Sequence, residues 1–428
     1  MTSIQTAPGS RIRLWELVSR PDGEDWIVGR PETGEFVSLP AEAITLLDAL
    51  RAGGTVAEAK RHADLTHGED IDALDFVGAL IDLGFVAAVD GEPVAEEPPR
   101  PPSLRWLSPR HVSWMFEPPF LVLVAALLCA GLAATAVRGG IFGYSALFAL
   151  KEPGLNLLLA AAISMSILAL HEFCHLAAAR AAGVPAWLGW GTRLFLLVAQ
   201  TSVPGLWAAH RRVRIRVFLA GMAADLVVFS CCSIGASATS PAGVAHRVLA
   251  QTCLLALFGI AEQFAFYMRT DVYFVIAELA GCKNLFADAT GYLSHRAGRL
   301  FRRGGSAARA ADPLLELPGA ERPVVRAYAA LVLVGGAVTT AVFVFYALPA
   351  VIGSYARAVD ELAGGWTLSR SGGILDAVAL VVATLPFQVL FVRSFLRTHG
   401  RQLRRLLRGA GPGPADPVGD RFEPAPER

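Results

Sequence analysis

Six stretches of this chain are apolar at nearly every position, and its first part is patterned differently. The apolar stretches fall at 120–137, 155–179, 217–234, 248–268, 327–348 and 374–392. Each is near the roughly 20 residues a helix needs to cross a bilayer. No soluble core needs six of them in one chain. Residues 11–90 instead carry short patterned runs. RIRLWELV, DWIVGR and EFVSL read as strands separated by the turn signals PDGE and PETG. Three helical segments follow. The first is PAEAITLLDALRAG. TVAEAKRHADL opens on Thr55 as an N-cap with Glu58 at capping-box spacing. EDIDALDFVGALIDLG puts Ile71, Leu74, Val77 and Ile81 on one face, and FVAAV closes the region as a strand. The pattern predicts a polytopic α-helical membrane protein of about six transmembrane helices, with a small N-terminal α+β domain of winged-helix type.

The remaining segments fix the organisation. Residues 1–10 are expected to be a disordered start and 11–90 the N-terminal domain. Residues 91–119 hold eight prolines and read as a stiff linker. Trp106, Trp114 and Phe116 near its end suit a membrane interface. A membrane core is expected at 120–285, a basic cytoplasmic loop at 286–326, two further spans at 327–395, and a basic, then disordered, tail at 396–428.

Composition agrees with the pattern. The 428 residues are 54% hydrophobic and only 18% charged, which excludes an ordinary soluble enzyme. The net charge of +1 says nothing about partners; the bilayer is one expected partner, and nucleic acid is not. Charge placement says more. Arg193, Arg211, Arg212, Arg214 and Arg216 lie between the second and third spans. Arg269, Lys283, Arg296, Arg299, Arg302, Arg303, Arg309 and Arg322 lie between the fourth and fifth, and Arg393 to Arg408 follow the sixth. The alternate connections are sparse in basic residues. The positive-inside rule then places both termini in the cytoplasm. MTSIQTAPGSRIR, which lacks the apolar run of a signal peptide, agrees. The six cysteines have no framework spacing and read as reduced thiols.

One apolar run carries chemistry. HEFCH, at 171–175, interrupts the second span. His171 and His175 are four residues apart and stack on one helix face. That spacing suits two imidazoles on one Zn2+, with Glu172 as general base toward a water whose pKa zinc lowers to about 7. An ionisable group inside a membrane is by default functional. Cys174 points off the histidine face and reads as packing. A catalytic zinc usually takes a third protein ligand. Asp271 lies at matching depth after the fourth span, Glu262 lies earlier in that span, and Asp225 lies deeper in the third. Asp225 also suits a place behind a ligand histidine. PAWLGWGTRLFLLVAQTSVP, at 185–204, reads either as a re-entrant β-hairpin able to hold an extended peptide or as an amphipathic loop.

These residues resemble the site-2 protease family of intramembrane zinc metalloproteases over roughly 155–285. TDVYFVIAELAGCKNL is similar to the aspartate motif of peptide zinc metalloproteases from bacterial peptide-modification clusters. The resemblance implies zinc on His171, His175 and Asp271, Glu172 as catalytic base, and residence in the bacterial cytoplasmic membrane. The chain departs from the family where Leu-Asp-Gly is Thr270-Asp271-Val272 and where Gly-x-x-x-Asn is Gly221 to Asp225. No PDZ-like insertion is evident. VSLPAEAITLLDAL and LIDLGFV resemble the PqqD-like domains that bind leader peptides of ribosomally made natural products.

Two functions follow. One is a membrane zinc endopeptidase that processes a precursor peptide captured by the N-terminal domain. The other is a non-proteolytic membrane partner in export, immunity or sensing.

Overall fold

The computed structural model describes residues 6–22, 25–30, 33, 35–68, 72–94, 101–138, 144–193, 196–282, 284–301, 312–315, 317–363 and 371–407. Most of the expected disordered start, part of the proline linker, part of the basic loop and residues 408–428 of the C-terminal tail lie outside this set. The chain forms two compact units. One comprises Met1–Ser113, Leu176–Trp187 and Thr201–Arg214; the other comprises Trp114–His175, Leu188–Gln200 and Ile215–Arg428.

In the first unit, β1 (Ile12–Leu14), β5 (Val86–Val89) and β6 (Glu92–Pro93) form one antiparallel sheet. β2 (Val18–Asp22), β3 (Asp25–Arg30) and β4 (Glu35–Leu39) form a second, with β3 central. RIRLWELV is therefore not one strand: it is divided between the two sheets. Three helices lie between: α1 (Ala41–Arg51), α2 (Val56–His67) and α3 (Ala73–Asp82). α2 starts on the Thr55–Glu58 capping box, in which each side chain accepts the other residue's backbone N–H. It stops at Gly68, whose left-handed φ of 73° suits glycine. Leu46, Leu47 and Leu50 of α1 pack with Val77 and Leu80 of α3 and with Phe85 to make the core. Burying each such side chain contributes about 1.5–3 kcal/mol.

The same unit holds the turn Pro204–Ala208. Arg20 of β2 donates to the Ala208 and Ala209 carbonyls. Arg214 donates to Trp207 O at 2.9 Å and to Ala209 O at 3.3 Å.

The second unit is helical. After the short α4 (Pro109–Val112) come α5 (Pro118–Arg138), α6 (Pro153–Ala181), the hairpin β7 (Trp187–Arg193) and β8 (Leu196–Ser202), α7 (Arg211–Ser237) and α8 (Val244–Gln263). Then follow α9 (Asp271–Ala280), α10 (Leu285–Phe301), α11 (Glu321–Val342), α12 (Leu348–Ala363) and α13 (Ser371–Leu407). α5, α6, α7, α8, α11 and α13 contain the six described helical stretches long and apolar enough to cross a membrane. Leu121, Val122, Leu123 and Leu132 of α5 are exposed, as a lipid-facing surface requires.

Further expectations change. The stretch expected as a proline linker holds α4 and a 3-10 turn at Ser113–Phe116 and reaches into α5, and the tail expected from 396 begins inside α13. The fourth apolar stretch does not run to Met268: the helix stops at Gln263 and a 3-10 turn covers Phe266–Met268. The stretch expected as a loop from 286 begins inside α10, an amphipathic helix whose Leu285 and Ala289 are buried against Val325 and Tyr328 of α11. All six cysteines are free. Burial, with Glu321 and Asp288 adding, pushes the Cys282 thiol up to about 11.

Candidate metal centre

α6 is a 29-residue helix, so His171 and His175 lie one turn apart on one face, and both are buried. α7 presents Val217, Gly221 and Asp225 to them. These are spaced four residues apart and so share a stripe of that helix. His171 Nδ1 lies 2.8 Å from Asp225 Oδ2, and His175 Nδ1 lies 2.8 Å from Val217 O. A carbonyl and a carboxylate only accept, so both Nδ1 atoms carry protons. Each neutral imidazole then turns an Nε2 lone pair the other way.

Both lone pairs meet the same atom. Asp271 Oδ2 is 3.0 Å from His171 Nε2 and 3.0 Å from His175 Nε2, and the two Nε2 atoms are 3.1 Å apart. Three acceptors facing one another in a buried place need positive charge between them.

The spacing fits a metal ion. Nitrogen and oxygen ligands at zinc bond lengths in a tetrahedron lie about 3.3 Å apart. His171, His175 and Asp271 form a group able to hold a metal ion. Gly221 makes the room: a Cβ on it would collide with Nε2 of both histidines. Only glycine leaves that volume open.

Asp271 reaches the site through a broken segment. After α8, Arg269 adopts a left-handed φ of 58°, Thr270 is extended, and Asp271 is the first residue of α9. Gln263 ties the segment back. Thr270 Oγ1 donates to Gln263 O at 2.6 Å, and the Asp271 N–H donates to Gln263 Oε1 at 3.1 Å. Phe274 of α9 stacks on Phe218 of α7, with ring centroids 5.2 Å apart.

Glu172 is half-buried beside the first histidine, and its charge acts on His175. Of the rival ligands, Glu262 is exposed in the last turn of α8 and lies outside the group. Cys174 is half-buried and also outside it. Asp225 stands behind His171 rather than in the ligand set. β7 and β8 pair in a two-stranded sheet, so the stretch at 185–204 is not a plain loop. The Val217 carbonyl, Gly221 and Gln263 were not anticipated as parts of the site. Gly221 left a signal, a glycine one helical turn before Asp225. A backbone carbonyl leaves none.

No family model, curated protein or solved structure matches this chain.

Proposed function

We propose that this protein is a membrane-embedded zinc-dependent endopeptidase. One observation carries the reading: two imidazole Nε2 atoms and a carboxylate oxygen converge on a space kept open by Gly221, with Glu172 adjacent in His-Glu-x-x-His spacing. His171, His175 and Asp271 would hold Zn2+. When bound, the ion supplies Lewis acidity toward a water and toward a peptide carbonyl. Asp225 and the Val217 carbonyl orient the two imidazoles and fix their tautomers. Glu172 takes the proton of the attacking water and passes it to the amine nitrogen as the peptide bond breaks.

The substrate in this reading is a ribosomally made precursor peptide. β2 and β4 are the outer strands of their sheet, and an extended leader can add beside one of them, as in PqqD-like domains. Capture there raises the local concentration of the scissile segment. The β7–β8 hairpin, which follows α6 in the chain, offers a second edge for an extended peptide. The bacterial cytoplasmic membrane, with both termini inside, is the setting that fits the arginine distribution.

The test combines metal analysis with a fluorogenic peptide library, using the full chain in detergent. Wild type should hold about one zinc per chain, and His171→Ala and Asp271→Ala should hold none. Glu172→Gln should keep the zinc and lose cleavage. A folded wild type that takes up no zinc even on reconstitution sinks the proposal and leaves a non-proteolytic partner in export, immunity or sensing.

A further inference from the structure

α11 and α13 lie outside the stretch that resembles zinc peptidases, yet α11 is fastened to the segment that delivers Asp271. Tyr328 Oη donates to Phe266 O at 2.9 Å. Tyr267 Oη and Thr339 Oγ1 are 2.5 Å apart. The Tyr267 ring lies against Gly335 so closely that a Cβ on Gly335 would collide with it. Tyr273 and Ala277 of α9 share a buried cluster with Val325, Tyr328 and Ala329 of α11.

The segment needs such fastening. Between Gln263 and Asp271 the backbone is not a continuous helix, and Arg269 sits in a left-handed conformation that L side chains rarely adopt. Conformations of this kind persist where the surroundings over-determine them, and they gather at ligand clamps. Gln263 holds the segment from α8. Tyr328 and Thr339 hold it from α11. A metal ligand must stay within about 0.5 Å of its place to be useful, which a free turn cannot ensure.

We propose that α11 is the clamp of the metal centre, with Tyr328 and Thr339 as positioning residues that act through the 266–270 turn on the Asp271 carboxylate. The inference rests on the metal-centre reading above and gives α11 a function within it. The same kind of bond supplies a control: Tyr355 Oη and Thr384 Oγ1, 2.6 Å apart, join α12 to α13 and do not touch the Asp271 segment.

The experiment is a Co2+ titration of the full-length protein in detergent, read by the visible ligand-field band, which reports ligand geometry independently of activity. Tyr328→Phe with Thr339→Val should weaken Co2+ binding by on the order of 10-fold or more, the range for partners behind metal ligands, and should alter the band. Thr339→Ser, which keeps the hydroxyl, should restore both in the Tyr328 background. Tyr355→Phe should change neither. Should the double variant not fold, Thr339→Val alone decides, with amide exchange across 271–280 expected to quicken. Clamp variants that bind Co2+ like wild type with an unaltered band overturn the clamp alone. A wild type that binds neither Co2+ nor Zn2+ overturns the metal centre, and the clamp with it.

Discussion

At the scale of single residues, the site depends on what is missing at 221 as much as on what is present at 171, 175 and 271. Gly→Ala inside a helix ordinarily stabilises by about 1 kcal/mol. At Gly221 the added methyl takes the space in front of both Nε2 atoms. Gly221→Ala is therefore expected to fold normally and to hold no zinc by elemental analysis; a zinc-replete Gly221→Ala protein means the ion does not sit between the histidines. Asp225 acts differently, by fixing the His171 tautomer. Asp225→Leu is expected to keep the ligand set and lose on the order of 10–100-fold in zinc affinity by competition with a chelator. The histidine pair was legible because a four-residue spacing in a helix dictates a shared face. Asp271 was legible as a candidate because its depth matches theirs. What separated it from Glu262 is the break after Gln263, which turns a carboxylate beyond the helix end into the site and leaves one inside the last turn exposed.

Elements show the same contrast between local and distant causes. The start of α2 could be read from Thr55 and Glu58 because both halves of its capping box lie within four residues. The start of α6, the helix that carries both histidines, could not. Its cap is Asp376 of α13, whose Oδ1 accepts the N–H groups of Gly154 at 2.5 Å and Leu155 at 3.1 Å. Gly154 has no room for a Cβ beside the Asp376 backbone. A cap contributed from a residue more than two hundred positions away leaves no pattern in either local sequence. Removing a capping carboxylate costs about 1 kcal/mol, which is about a fivefold change in local opening. Asp376→Ala is expected to speed amide exchange by that factor in the first turns of α6 and to leave the exchange of α2 unchanged. Thr55→Ala is expected to do the reverse. Equal effects of both substitutions on both helices would mean that the protein loosens as a whole and that neither cap acts locally. The division of RIRLWELV between two sheets belongs to this class too: its alternation fits a strand, but the choice of partner strand is made by β3 and β5.

For the whole molecule, the question is which side of a membrane would reach the proposed metal centre. Six apolar stretches were legible because length and composition alone define them, and six helices carry them. Their orientation rests on charge. The C-terminal end of α6, the first turns of α7 and α11 and the C-terminal end of α13 carry Arg180, Arg211, Arg212, Arg214, Arg322, Arg326, Arg393 and Arg397. The opposite ends and their connections carry Arg138, Lys151, Arg247, Arg357 and Arg370. Basic residues near a span are usually retained on the cytoplasmic side, so the arginine-rich ends are expected there. His171 is about ten residues, or about 15 Å, from the end of α6 at Ala181. His175 is closer still, so with that orientation the proposed metal centre would sit in the cytoplasmic half and a peptide substrate would arrive from the cytoplasm. Alkaline phosphatase, which needs disulfides and is active only outside that compartment, reads this directly. Fused after residue 407 it should be inactive, and inserted in the α7–α8 connection at 238–243 it should be active. A fluorescent protein that folds in the cytoplasm should give the complementary result at each site. The opposite pattern would turn the metal toward the outer face, exclude a freshly made cytoplasmic peptide as its substrate, and leave the N-terminal domain on the wrong side to capture one.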